Sequence, residues 1–298
     1  MDISVVIPSY RAERTIEACL QNILSQTTSY RYEIIVCDSS PGAEVQNLTA
    51  RYPVRFIKKE KKIPPGIARN IGAESAQGEL LVFIDADMIL SPGALEKIWK
   101  HYQQGQEVFS SALDLKEGKK SLSAHIEHYL FFCEYQSSRK SGERKNLPST
   151  VFIIKRELFF SLGGFEGYWR GEDTEFTERI GQTGKRPIFD SQIVAYRNQD
   201  TPFWEIASKN FKYGIYWGRK FFPKTNGFKK LILVFLLPVL SLLKSTRIIC
   251  RNVIYNSVPD KALSLLLSPL LFLLGFWWIA GIISGLFSDI SDKEERSE

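Results

Sequence analysis

Glu79-Leu80-Leu81-Val82-Phe83-Ile84-Asp85-Ala86-Asp87 is an apolar run that ends abruptly in two carboxylates. Leu81 to Ile84 are branched or aromatic, too few for a helix, and bounded by Gly78 and Ser91-Pro92-Gly93, so they read as a strand buried on both faces. Open α/β sheets bind ligands at the carboxyl ends of their strands, where Asp85 and Asp87 stand. If extended geometry continues through the triplet, its period of two aims both acids the same way. Such a pair suits a hard divalent cation, Mg²⁺ or Mn²⁺, whose shell substrate phosphates complete. A turn with two solvated acids would use the same residues, so the rest of the chain has to decide.

Upstream, Ile3 to Ile7 reads as a strand stopped by Pro8 and followed by Ser9-Tyr10-Arg11. Thr15 to Gln26 has helical spacing, and Tyr32 to Asp38 is a second buried strand ending in an acid, which completes a βαβ unit. A short helix over Glu44 to Tyr52 and a strand over Val54 to Ile57 follow. The basic Lys58 to Lys62 then leads to a helix over Ile67 to Ala76. Its Gly66 opening and Arg69 suit an anionic group, although a surface ion pair would explain Arg69 equally well.

Downstream, Gly93 to Gln104 reads as a helix, Val108 to Ala112 as a strand and Ser123 to Arg139 as a helix. On the last, His125 and His128 lie one turn apart and are expected on its surface, since no third metal ligand is in register. Ser138 to Lys145 is expected to be a mobile loop able to cover an acceptor. Val151 to Ile154 is a strand, Lys155 to Leu162 a short helix, and Glu172 to Ile180 a helix whose first turn holds Glu172 and Asp173. Its dipole favours an ionised carboxylate, as a base requires, but acids favour helix starts everywhere. Ile188 to Tyr196 supplies one or two edge strands.

The 298 residues divide unevenly, with apolar and charged segments mixed normally over roughly the first 200 and a lipid-seeking remainder. Between Pro202 and Phe222 eight aromatic residues interleave with Lys209, Lys212, Arg219 and Lys220, as at a membrane interface. Leu231 to Leu243 offers only 13 uncharged residues, short of a bilayer core, and is expected to be interfacial or re-entrant. Ala262 to Phe287 has 26, enough to cross with tilt, and the basic linker before it favours a single crossing. The expected division is a catalytic domain over 1–200, an interfacial segment over 201–260 and a transmembrane helix with a polar tail over 261–298. The net charge of +6 gathers in clusters without a nucleic-acid motif, which points to anionic lipid and away from nucleic acid. Four scattered cysteines and a front end without signal-peptide character place the catalytic part in the cytoplasm.

Val5-Val6-Ile7-Pro8-Ser9-Tyr10, Glu33 to Ser40, Ala68-Arg69-Asn70-Ile71-Gly72, Asp85-Ala86-Asp87 and Gly163-Gly164-Phe165-Glu166 leading to Gly171-Glu172-Asp173 occur in this order. In that series, covering roughly residues 3 to 200, the chain resembles the membrane-associated inverting glycosyltransferases of family 2. The resemblance implies a GT-A fold, that is, a Rossmann-like α/β nucleotide-binding domain followed by interfacial and transmembrane helices. It implies a metal-dependent transfer, through Mg²⁺ or Mn²⁺, of a sugar from a nucleotide-diphosphate donor to a lipid-linked or glycan acceptor. By that resemblance Pro8, Tyr10 and Asp38 hold the nucleoside, Asp38 accepting from its base, while Arg69 contacts the diphosphate. Asp85 lies near the ribose and sugar, Asp87 ligates the metal and Asp173 is the general base. Two positions depart from the pattern: Ser39-Ser40 follows Asp38, and Tyr196-Arg197-Asn198 stands where many members carry a His, so no further metal ligand is expected there. Nucleotidyl transfer would also use an Asp pair but does not need the Gly-Glu-Asp helix. A non-catalytic membrane scaffold would need neither.

Overall fold

The computed structural model describes residues 1–116, 121–198, 200–221 and 227–287. Glu117 to Lys120 of one basic cluster, Phe222 and the polar tail from Ser288 lie outside them. The described residues form two compact units, one of residues 1–116 and 140–198, the other of residues 121–139 and 200–287. Residues 121–139 thus leave the first unit and belong with the helices of the second.

In the first unit β1 (Ile3–Ser9), α1 (Ile16–Leu24), β2 (Tyr32–Asp38), α2 (Glu44–Thr49), β3 (Arg55–Lys58), α3 (Pro65–Glu74) and β4 (Leu80–Ile84) alternate as expected. β5 (Met88–Leu90), α4 (Ala94–Gln103) and β6 (Val108–Leu115) follow. After α5 (Leu122–Phe131), which belongs to the second unit, come β7 (Gly142–Glu143), β8 (Val151–Lys155), α6 (Arg156–Ser161), α7 (Glu172–Gln182) and β9 (Ile188–Arg197). The strands make one sheet in the order β3-β2-β1-β4-β8-β6-β9-β5, with β7 added on β9. β1 to β4 are mutually parallel, whereas β8 runs antiparallel to both β4 and β6. Every residue of β4 is buried, as its continuous apolar run requires of a central strand covered on both faces.

Register explains where the polar residues go. In the β1–β2 pair Ser9 lies opposite Asp38, and in the β2–β3 pair Asp38 lies opposite Lys58, so three strand ends meet at one edge. Gly72 lets α3 settle on β1, since a Cβ there would meet Val6 Cγ1 at 2.4 Å. Asn70 then clamps the Gly-Gly-Phe turn: its Nδ2 donates to the Phe165 carbonyl at 2.7 Å and its Oδ1 accepts from the Phe165 N–H at 2.9 Å.

Four expectations are corrected. Extended geometry stops at Ile84: Asp85-Ala86-Asp87 is a turn closed by the Met88 N–H donating to the Asp85 carbonyl at 3.0 Å. β9 is no edge strand, because β5, β6 and β7 all pair with it. His125 and His128 are buried, His125 holding the Ser121 carbonyl at 2.9 Å and both rings packing near Tyr129. Ser138 to Lys145 is an ordered stretch: the Arg139 guanidinium is buried against the Cys133 carbonyl, Gln136 and Asn252, and Gly142–Glu143 form β7. A run of charges looked solvated because sequence does not show which carbonyls and amides surround it.

In the second unit α8 (Phe203–Phe221), α9 (Gly227–Tyr255), α10 (Val258–Leu266) and α11 (Ser268–Phe287) pack with α5. The 26-residue apolar stretch is divided: α10 ends before Ser268-Pro269, and α11 keeps 20 residues. α9 is continuous through Pro238 for 29 residues, longer than the short interfacial helix expected at Leu231 to Leu243. α8 and α11 run parallel at close range, Asn210 donating to the Leu274 carbonyl while Gly214 and Gly218 meet the turns holding Gly281 and Gly285. A Cβ on Gly281 would lie 2.1 Å from the Phe211 carbonyl oxygen, so only glycine allows this approach. α9 and α11 nevertheless leave Phe235, Leu236, Leu243, Leu273, Phe276 and Trp277 exposed.

Candidate active site

The strand ends of β1, β2 and β4 bring Pro8, Tyr10, Asp38, Asp85 and Asp87 to one edge, and α3 and α7 add Arg69 and Asp173. Asp38 is fully buried, with its carboxylate held at 2.9 Å by the Ser9 hydroxyl, 2.6 Å by the Ser40 hydroxyl, 3.3 Å by the Ser40 N–H and 2.9 Å by Lys58 Nζ. A carboxylate offers about four acceptor positions, and all are in use. The expectation that Asp38 accepts directly from a nucleoside base is therefore corrected in part: here Asp38 organises Ser9, Ser40 and Lys58. Pro8 is half-buried in β1, and Tyr10 stays exposed beside Arg11, whose φ of 51° turns the chain out of the strand. Lys62 Nζ sits 5.2 Å from the Tyr10 ring centre and 4.6 Å from that of Trp169.

Arg69 is where the structure departs furthest from expectation. Its guanidinium is buried and donates to Asp85 Oδ1 at 2.7 Å and to Glu172 Oε1 at 3.0 Å. It bridges two acids from distant parts of the chain and is not laid open for a diphosphate. Ser149 Oγ adds a bond to the same Glu172 oxygen at 3.2 Å. Gly66 makes the approach of α3 to α7 possible, since a Cβ there would stand 2.9 Å from Phe165 Cβ and 3.2 Å from Glu172 Cγ.

Burial pushes the Asp85 carboxyl up to about 6; Arg69 opposes the shift, and the neighbouring Asp87 charge adds to it. Glu172 and Asp173 are likewise raised, first by burial, with Glu172 also feeling the Asp173 charge. The helix-start effect expected for Asp173 is present, as the Thr174 N–H donates to its Oδ1 at 2.7 Å, but desolvation outweighs it. Gly171 precedes this helix in a left-handed conformation, φ 74°, which a side chain would strain.

Asp87 pairs with Arg197: its Oδ2 lies 3.1 Å from Arg197 Nε, and the Asn198 N–H donates to its carbonyl at 2.8 Å. As a cation site the Asp85–Asp87 turn has the right chemistry, with hard oxygen donors; the thiol of Cys19 behind it is pushed up first by burial and then by the charge of Asp87 and Asp85. No group of three or more His, Cys, Asp or Glu that could hold a metal occurs among the described residues. The chain fits Mg²⁺ or Mn²⁺ only as the carboxylate part of a shell that phosphate oxygens would complete. Lys58, Ser9, Asn70 and Arg197 escaped the sequence reading. Lys58 and Ser9 could have been found by aligning the ends of β1, β2 and β3, but the arginine partners of Asp85 and Asp87 come from helix and strand placements that no local pattern gives.

A half-parallel sheet with acids at its strand ends and an acid-bearing helix facing them through Arg69 defines an α/β protein of GT-A type. A fold comparison agrees. The mannosyltransferase PcManGT of Pyrobaculum calidifontis, solved in complex with GDP-Man and Mn²⁺, superposes with TM-score 0.64 over 97% of this chain and 88% of that one, at 18% identity. The family model "Glycosyl transferase family 2" matches residues 4–163, and the chain belongs to that family. An uncharacterized glycosyltransferase of Haemophilus influenzae is 27% identical over 186 residues, covering 60% of this chain and 62% of the relative. Glycosyltransferase AglE of Haloferax volcanii is 25% identical over 226 residues, 71% of each chain.

Proposed function

We propose that this protein transfers a sugar from a nucleotide-diphosphate donor to a hydroxyl of a lipid-linked or glycan acceptor, with inversion and with Mg²⁺ or Mn²⁺. The observation that carries this reading is the Arg69 bridge. It holds Asp85, on the donor side, and Glu172, next to the base-bearing position, at 2.7 and 3.0 Å in one charge network. PcManGT, with its sugar nucleotide and Mn²⁺, supports the donor and metal classes.

In this reading Pro8 and Tyr10 flank the nucleoside while Asp38 keeps Ser9, Ser40 and Lys58 in place for it. Asp87, with Asp85, would hold the metal, which when bound neutralises charge developing on the leaving diphosphate. Arg69 fixes Asp85 against the sugar-facing side. Asp173 takes the acceptor proton. Burial raises its pKa, which makes it a stronger base than an exposed aspartate, as general-base catalysis needs. Attack in line with the departing diphosphate, from the face of the base, gives inversion. Asp173→Asn, assayed separately for donor binding and turnover, tests the assignment: binding should persist and turnover collapse, and near-normal turnover would eliminate Asp173 as the base.

The helical unit attaches the enzyme to the membrane, with the catalytic unit on the cytoplasmic side. Among the described residues α11 is the one helix long and apolar enough to cross, and its neighbours expose further apolar surface. A lipid-linked acceptor would be met there. One observation favours a second mode, in which α8, α9 and α11 lie in the plane of one leaflet. α8 runs alongside α11 yet exposes Glu205, Ser208 and Lys212, and a lysine at mid-bilayer costs about 2.5–3.5 kcal/mol. Single cysteines at Leu266 and Phe287 separate the modes: labelling from one side only means in-plane, labelling from opposite sides means crossing.

A further inference from the structure

Each acid of the Asp85-Ala86-Asp87 turn is matched with its own guanidinium, Asp85 with Arg69 and Asp87 with Arg197. The second pairing is built into the sheet. β5 and β9 pair antiparallel with Met88 opposite Arg197, and the Asn198 N–H holds the Asp87 carbonyl, so the backbone on both sides of the ion pair is fixed. The Asp87 and Arg197 side chains are only 16% and 22% exposed, which shields the pair from the screening that makes surface ion pairs weak.

Resting on the reading of Asp87 as a metal ligand, we infer that Arg197 is a tethered counter-ion that makes metal binding depend on the nucleotide diphosphate. Arginine does not lose its proton in proteins, so this positive charge is permanent. A bare divalent cation approaching Asp87 meets a carboxylate already neutralised, and a guanidinium that repels it. A metal arriving with a diphosphate brings several negative oxygens of its own. Arg197 then has a second anion to turn to, and a guanidinium fork matches phosphate oxygens well. Arg197 is thus a positioning residue, setting the order in which metal and donor enter.

The test uses the full chain in detergent, with Mn²⁺ followed by electron paramagnetic resonance, alone and with UDP or GDP. The wild type is expected to bind Mn²⁺ alone weakly and far more tightly with a diphosphate. Arg197→Gln should bind Mn²⁺ alone about tenfold more tightly and lose about tenfold in diphosphate-dependent affinity, while Arg197→Lys, which keeps the charge, should stay near wild type for Mn²⁺ alone. Unchanged Mn²⁺ affinity in a folded Arg197→Gln, or an equal gain in Arg197→Lys, overturns the counter-ion role. Asp87→Asn distinguishes that failure from failure of the underlying reading. If it leaves Mn²⁺ binding with diphosphate intact, Asp87 is not a ligand and both fall; if it abolishes that binding while Arg197→Gln has no effect, only the counter-ion role falls.

Discussion

Replacing Arg69 by Met keeps the length and most of the bulk of the side chain but removes the charge that Asp85 and Glu172 share. The cost is set by Glu172. Its side chain is 8% exposed and would retain the Ser149 hydroxyl and a backbone hydrogen bond but no charge partner, whereas Asp85 is 33% exposed and can recruit water. Breaking a buried pair from one side costs about 3–5 kcal/mol, and the partial exposure of Asp85 argues for the lower end, about 3 kcal/mol. With a urea slope of about 3 kcal/mol per M, that moves the unfolding midpoint of the catalytic unit down by about 1 M. The effect should also depend on pH in a defined direction. Asp85 and Glu172 already bind protons more tightly folded than unfolded, and losing Arg69 removes the influence that lowers both. As pH falls from 7.5 to 5.5, around the Asp85 value of about 6, Asp85 protonates in the folded chain first, which favours folding, so the gap between variant and wild type should narrow. Chemical denaturation at both pH values in detergent reads this directly. A midpoint shift under about 0.3 M, or a gap that widens at pH 5.5, would refute the buried-bridge account.

Further outcomes rest on the same geometry. Asp173→Asn should lower turnover by about 10²–10⁴-fold with donor affinity retained. Because burial raises Asp173, wild-type turnover should fall on acidification at a pH above the ordinary aspartate range near about 3.9, as the base becomes protonated; a rate flat down to that value would contradict it. Gly281→Ala places a Cβ against the Phe211 carbonyl and should cost about 1–3 kcal/mol, seen as a lower melting temperature in detergent. Gly181→Ala, on α7 with no heavy atom within 4 Å of the added Cβ, should instead stabilise by about 0.5–1 kcal/mol, and equal effects from the two glycines would undo the close-packing argument. Alkaline carbonate should leave the full chain in the membrane pellet, and its release would remove the membrane reading of the helical unit.

How far the sequence was legible depends on how local each determinant is. β4 could be read because five consecutive buried apolar residues leave few alternatives, and the βαβ units because turns and helical spacing punctuate them. The acids at the strand ends followed from the same reading. Their partners did not. Arg69 meets Glu172 across 103 positions of sequence, and Arg197 reaches Asp87 through a strand pairing between β5 and β9. The turn at Asp85-Ala86-Asp87 and the filled carboxylate of Asp38 also depend on neighbours brought in by the sheet. Arg139 was misread because polarity predicts exposure only when no buried partner waits, and Asn252 waits far away in sequence; the two histidines of α5 are buried beside near neighbours, Ser121 and Tyr129, which do not reveal by themselves that this face of the helix is covered.

The central claim, metal-dependent sugar transfer from a nucleotide-diphosphate donor, is tested most directly by incubating the purified full chain with a panel of nucleotide sugars and identifying the nucleotide released. The account predicts that at least one donor yields nucleoside diphosphate in the presence of Mn²⁺ or Mg²⁺, that EDTA stops the release, and that Asp87→Asn and Asp173→Asn both suppress it. Release of nucleoside monophosphate with pyrophosphate chemistry, or nucleoside diphosphate formation that survives EDTA and both substitutions, would contradict it.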